Sequence, residues 1–237
     1  MSTHLTTQEL DAARAKYRGE IIPDGALSVM DAEMEALRVS GIERRALQPG
    51  AVAPDFILPD AQGRCVRFQS LLRQGPVVLV FYRGGWCPYC NLHLRGFERA
   101  LPELQQFGAQ IVAISPQLPD NSLSTQEKDE LTFAVLSDVG NKVARKFGIV
   151  FQIGESLQEL YRQFGHPLDL FNGPDGAQHL PVPATFLIDG KAVIRLAHVD
   201  VDYTRRLDPD DVIAALMKLP ALPSNDSIVR TRQNGNP

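Results

Sequence analysis

No apolar run in this chain approaches the ~20 residues that a membrane-crossing helix needs, which excludes a membrane-spanning role. An excess of positive charge is also missing. The 24 Lys and Arg stand against 28 Asp and Glu, a formal net charge of -4, so no clustered basic surface is available to meet nucleic-acid phosphates. Arg205-Arg206 is an isolated pair and reads as solvated surface. The first ten residues lack the basic start and apolar stretch of a secretory signal, which predicts a cytoplasmic protein. Cysteine is scarce as well. Three are too few for a disulfide framework, and a zinc site built on Cys87 and Cys90 would have only His93, His179 or an acid to complete it. Neither a metal nor a cofactor is expected.

The 237 residues suffice for one well-filled core with an appendage, and the 44% hydrophobic and 22% charged fractions are those of an ordinary globular protein. Residues 1–48 read as a helical N-terminal extension. Thr7 is placed to cap a first amphipathic helix carrying Leu10, Ala13 and Tyr17. A second runs from Ala26 to Val39 after a Pro23-Asp24-Gly25 turn. The extension either packs on the main domain or forms a dimer contact, so a homodimer is one expectation. Residues 49–220 form the main domain, and 221–237 a flexible tail.

Within the main domain, runs at Asp55-Phe56-Ile57-Leu58 and Cys65-Val66-Arg67-Phe68 around Gly63 predict a β-hairpin, with Cys65 a small buried hydrophobe. Val77 to Tyr82 is a continuous apolar, β-branched run, as a strand buried on both faces requires. A helix follows, with Leu94, Phe97, Leu101 and Leu104 on one face, kinked at Pro102 and ended at Gly108. Strands at 111–114 and 133–136, with a short helix over 124–130 between them, give β-α-β-α-β order and a parallel sheet. Asn141 to Phe147 reads as a brief helix. A capping box from Ser156 to Glu159 opens another, buried through Leu157, Leu160, Tyr161 and Phe164. Asp189-Gly190 turns a hairpin between 184–188 and 192–196, and Asp208 with Pro209 starts a last helix.

The chemistry concentrates at Cys87-Pro88-Tyr89-Cys90. With Pro88 at the first helical position, Cys87 is the N-cap and Cys90 lies in the first turn. Unpaired backbone N–H groups and the helix dipole there favour an anion, and for a thiol that anion is the nucleophilic thiolate. Residues three apart on a helix are neighbours, so the two sulfurs can close a disulfide.

From about Pro54 to Leu216 the chain resembles the peroxiredoxin-like branch of the alkyl hydroperoxide reductase and thiol-specific antioxidant superfamily. The resemblance rests on Ala53-Pro54-Asp55-Phe56, on the strand ending at Phe81-Tyr82, on the Cys87–Cys90 motif and on Ala184 to Gly190. It implies an α/β, thioredoxin-like three-layer fold with a central mixed sheet flanked by helices and an N-terminal helical extension. Cys90 takes the place of the family's peroxidatic thiol. Cys87 stands where the family has Thr, Arg83 where it has Pro, and Pro183 where many members carry an arginine. Val182-Pro183 instead looks like the cis-proline site of thioredoxins, whose exposed backbone lies against the dithiol.

The resemblance thus implies a thiol peroxidase in which Cys90 attacks hydrogen peroxide or an organic hydroperoxide and Cys87 resolves the product. A thioredoxin-like or low-molecular-weight thiol would be the reductant. Arg83, Trp86, Val182 and Pro183 would border the substrate. Two alternatives stay open: a thiol-disulfide oxidoreductase in which Cys87 attacks a protein disulfide, and a non-enzymatic redox sensor acting through the N-terminal helices.

Overall fold

A computed structural model describes residues 6–219; the expected tail at 221–237 lies outside the described residues. Helix α1 (Thr6–Lys16) runs into a π-helical turn (Tyr17–Ile21), followed by α2 (Asp24–Ser40) and α3 (Ile42–Arg45). The hairpin strands β1 (Ile57–Pro59) and β2 (Cys65–Arg67) precede α4 (Phe68–Leu72). The central unit is β3 (Val77–Phe81), α5 (Pro88–Gln106), β4 (Gln110–Ser115), α6 (Pro119–Lys128) and β5 (Ala134–Ser137). After it come α7 (Lys142–Lys146), β6 (Val150–Gln152), α8 (Glu155–Gln163), α9 (Leu168–Asn172), β7 (His179–Pro181), β8 (Ala184–Ile188), β9 (Ile194–Val199) and α10 (Pro209–Leu216).

The main sheet has the order β5-β4-β3-β8-β9. Strands β3, β4 and β5 are parallel, while β8 pairs antiparallel with both β3 and β9. This is the mixed sheet expected, with helices on both faces. Strand alternation sorts the core: Val77, Leu79 and Phe81 pack with Phe147 and Phe186 on one face, and Val78, Val80 and Tyr82 pack with Leu94, Phe97 and Leu104 of α5 on the other. No helix among the described residues is long and apolar enough to cross a membrane.

The N-terminal helices lie on their own chain. Leu10 enters the α5 side of the core, and Ala26 and Met30 join Leu157, Leu160 and Tyr161 of α8 in a third cluster. Helix α1 approaches α5 at Gly96, where an added Cβ would lie 2.2 Å from Thr6 Oγ1. Thr7 sits inside α1 and donates its N–H and hydroxyl to Asp208 Oδ2 (3.1 and 2.7 Å), while Asp208 Oδ1 caps α10 by accepting from Asp210 N–H. One carboxylate therefore serves the first turns of two helices.

Several local expectations are corrected. Pro23 is the N-cap of α2, with Asp24 and Gly25 already in its first turn, so the bend falls in the π-helical turn and Ile22. Helix α6 begins at Pro119 because Pro at the first helical position is preorganised for it. Helix α5 runs through Pro102 to Gln106 and stops, as expected, just before Gly108, whose φ is 68°. Helix α8 starts at Glu155 without the Ser156 box: Gly154 is the N-cap and donates its own N–H to Glu33 of α2 (3.2 Å). Phe164 lies beyond its end and is exposed. Cys65 is exposed, because β2 alternation turns Val66 towards the core and Cys65 away from it. The small β6-β7 sheet has no counterpart in the expected strands.

A buried dithiol beside an aromatic pocket

Strand β3 delivers the chain into a tight loop whose shape depends on two glycines. Gly84 has φ 150°, and a Cβ on it would lie 2.4 Å from Trp86 Nε1; a Cβ on Gly85 would lie 2.2 Å from Thr125 Oγ1. The loop is tied down on both sides: Gly85 N–H donates to Gln117 Oε1 (2.8 Å), and Asn91 Nδ2 donates to the Gly85 carbonyl (2.9 Å). Cys87 is the N-cap of α5, Pro88 opens the helix, and the Cys87 carbonyl accepts from Cys90 and Asn91 N–H (3.0 and 3.2 Å).

Both sulfurs are enclosed, with Cys87 1% and Cys90 0% exposed. Burial alone would raise the pKa of each. At Cys90 this is outweighed: the Cys87 S–H donates to its sulfur, the Arg206 and Arg83 charges lie close, and the Arg83 backbone N–H adds a further donor, so Cys90 falls well below the ordinary thiol range. Arg206 Nη2 is 3.5 Å from the Cys90 sulfur. Cys87 moves the opposite way, raised by burial, by its hydrogen bond to Cys90 and by that thiolate's charge. The two thiols are thus biased in opposite directions, Cys90 towards the thiolate and Cys87 towards the protonated form.

Cys87 borders a pocket of ≈ 310 Å³ walled by Trp86, Tyr89, Tyr161 and Tyr203. Tyr17, Ile21, Ile22 and Met30 of the N-terminal extension line it as well. Arg83 also lines it. Only 6% exposed, its guanidinium carbon lies 4.4 Å from the Tyr203 ring centre, 4.8 Å from Trp86 and 5.6 Å from Tyr161. Trp86 in turn packs on Tyr161 (5.1 Å) and His166 (5.6 Å). Among the described residues no group of three or more His, Cys, Asp and Glu is placed to hold a metal ion.

Of the residues singled out in the sequence, Cys87, Cys90, Arg83 and Trp86 come together here. Val182 and Pro183 do not border this pocket; they line a cavity of ≈ 20 Å³ that Arg83 also touches. The Val182-Pro183 bond is trans, since the described residues contain no cis peptide. Val182 N–H donates to the Ile149 carbonyl (2.7 Å), so this backbone is committed within the chain and not exposed to a partner.

Two groups to which the sequence reading gave no role lie at the site. Arg206, taken as solvated surface, reaches the Cys90 sulfur. His93 is only 2% exposed, and its Nε2 lies 3.0 Å from the Leu207 carbonyl, which pins the segment carrying Arg206 against α5. Burial, together with the nearby Arg206 charge, lowers His93 to a pKa of about 3, so the ring is neutral and donates that hydrogen bond. The available signal was topological: Arg206 sits two residues before the cap of α10, which packs on α5.

Comparison with known proteins agrees with this architecture. The AhpC/TSA family model matches residues 49–197. Chloroplastic peroxiredoxin Q of Triticum aestivum is 26% identical over 205 residues, 86% of this chain and 81% of that protein. Peroxiredoxin Bcp of Escherichia coli (strain K12) is 35% identical over 104 residues, 44% of this chain and 65% of that protein. The crystal structure of peroxidoxin BcpB from Mycobacterium tuberculosis superposes with TM-score 0.58 at 24% identity, covering 73% of this chain and 99% of that one. With a thioredoxin-type sheet and a low-pKa thiol at the mouth of α5, the chain belongs to the AhpC/TSA family and is a thiol-dependent peroxidase.

Proposed function

We propose that Cys90 is the peroxide-attacking thiolate and Cys87 its resolving partner. The observation that carries this reading is the setting of the Cys90 sulfur, in the first turn of α5 beside Cys87 and 3.5 Å from Arg206 Nη2, which favours its thiolate. Cys87 here does what a hydroxyl would do in the Thr of related proteins, and it can also form a bond.

The cycle balances with these groups. The Cys90 thiolate attacks the distal oxygen of ROOH, the O–O bond breaks, and RO⁻ leaves to take a proton, giving Cys90 sulfenic acid and ROH. Cys87 sulfur then displaces hydroxide from Cys90, its proton leaving with that hydroxide as water, and the disulfide forms. Two thiols of a thioredoxin-like or low-molecular-weight reductant restore the dithiol and are themselves oxidised to a disulfide. A reducing compartment such as the cytoplasm suits that last step. Cys90 has no exposed surface, and Cys87 stands between it and solvent as the sulfur that borders the pocket. Arg83 and Trp86 shape the approach.

A second reading, thiol-disulfide exchange led by Cys87, is favoured by one observation: Cys87 is the sulfur that borders the pocket. Against it, burial and the neighbouring Cys90 raise the Cys87 thiol, and the Val182 N–H is already paired. Stopped-flow oxidation by hydrogen peroxide separates the two. Cys87→Ser is expected to keep fast formation of a sulfenic acid, while Cys90→Ser loses about 100-fold or more in rate, as removal of the sole ionised nucleophile requires. Rapid reduction of insulin disulfides, abolished mainly by Cys87→Ser, would instead establish exchange.

A further inference from the structure

The pocket is larger and more aromatic than hydrogen peroxide needs, and its one charged side chain is unusual. Among the residues lining it, Arg83 alone carries a charge, and no carboxylate is there to neutralise it. Its guanidinium is enclosed by three aromatic rings, and its Nε has no hydrogen-bond partner. A guanidinium presents five donors in a planar fork, a geometry that a carboxylate meets with two parallel hydrogen bonds. Rings supply attraction to a cation but accept no such bonds, so they leave Nε without an acceptor.

We propose that this pocket selects hydroperoxides that combine an apolar or aromatic body with a carboxylate, the body resting on Trp86, Tyr161 and Tyr203 and the carboxylate pairing with Arg83. The inference rests on the peroxidase reading and names its substrate class. The N-terminal extension takes part, because Tyr17, Ile21 and Met30 close the pocket around the apolar portion. Reaction follows the cycle already described, with the carboxylate unchanged throughout.

Trp86 is the only tryptophan in the chain and lines the pocket, so its fluorescence reports single-turnover oxidation of the reduced protein directly. The probes are cumene hydroperoxide, its meta- and para-carboxy derivatives, and the methyl esters of those derivatives, with hydrogen peroxide as reference. The better carboxy isomer is expected to react at least about tenfold faster than its own ester, as a charge-assisted bidentate contact would give. Arg83→Gln brings that ratio close to one, and Arg83→Lys restores part of it; using the ratio cancels any general loss of thiolate reactivity. If hydrogen peroxide and cumene hydroperoxide oxidise the protein but acid and ester react equally, the proposal is overturned while the peroxidase reading stands. If no peroxide oxidises Cys90, the peroxidase reading itself fails. A third arm reduces the disulfide form with glutathione or its diethyl ester. Equal rates are expected, and a charge preference confined to this arm would assign Arg83 to the reductant and overturn the proposal.

Discussion

At the scale of single residues, the surroundings of the two sulfurs differ, and they favour the thiolate at Cys90 over Cys87. Arg206 is central to that bias. Lowering the pKa of Cys90 means that the thiolate persists as pH falls and is lost only when pH drops through the depressed value, so the rate of oxidation by peroxide should rise less steeply between pH 6 and 8 than that of an ordinary thiol. An unperturbed thiol of pKa about 8.5 would gain close to 100-fold over that range. Arg206→Gln removes the contact at 3.5 Å. Stopped-flow rates at pH 7 should fall by about 10- to 100-fold, the weight of a hydrogen bond to a charged group, and should climb again with rising pH.

His93 gives a second outcome at the same scale. Its folded pKa of about 3 lies below the unfolded value, so the unfolded chain takes up the proton first as pH falls. Stability from this group is complete above pH 6.5 and declines through the acid range, by roughly 2 kcal/mol between pH 6.5 and 5. Urea unfolding at these two pH values should show that His93→Gln, which keeps a donor for Leu207, loses less stability on acidification than the parent. Neither residue was legible as functional from the chain alone. Arg206 is separated from Cys90 by 116 residues, and only the docking of α10 on α5 brings it back. The dithiol and Arg83 were legible because a buried strand, two glycines and Pro88 fix their local geometry.

At the scale of elements, long or strongly patterned segments declared themselves. The run 77–82 could be nothing but an interior strand, and Asp208-Pro209 marked the start of α10. Elements of three residues did not: β7 reads His179-Leu180-Pro181, too short and too interrupted to signal a strand. The capping box at Ser156 misled because a tertiary partner, Glu33, sets where α8 begins. The double duty of Asp208 was likewise invisible, since Thr7 lies 201 residues away. Asp208→Ala removes the cap of α10 and the acceptor that serves both the N–H and the hydroxyl of Thr7, and it should destabilise the protein by about 2 kcal/mol. A thermal scan would register this as a fall in Tm of roughly 4–8 °C.

At the scale of the molecule, the extension and the main domain share one interior. Leu10, Ala26 and Met30 are core residues, and the pocket wall crosses the boundary drawn in the sequence at residue 48. The general class of fold followed from strand and helix order, but this shared wall did not, because nothing local to residues 17–30 says what they face.

The contrast between Cys65 in the open and the other two cysteines in the interior makes the protein its own thiol ruler. A bulky maleimide applied to the reduced native protein should add once, at Cys65; after denaturation it should add three times, or once if the pair has been oxidised beforehand. Mass spectrometry of these adducts therefore reads out the redox state of the hidden pair with an internal standard, and replacing Cys65 by Ser would lower every count by one.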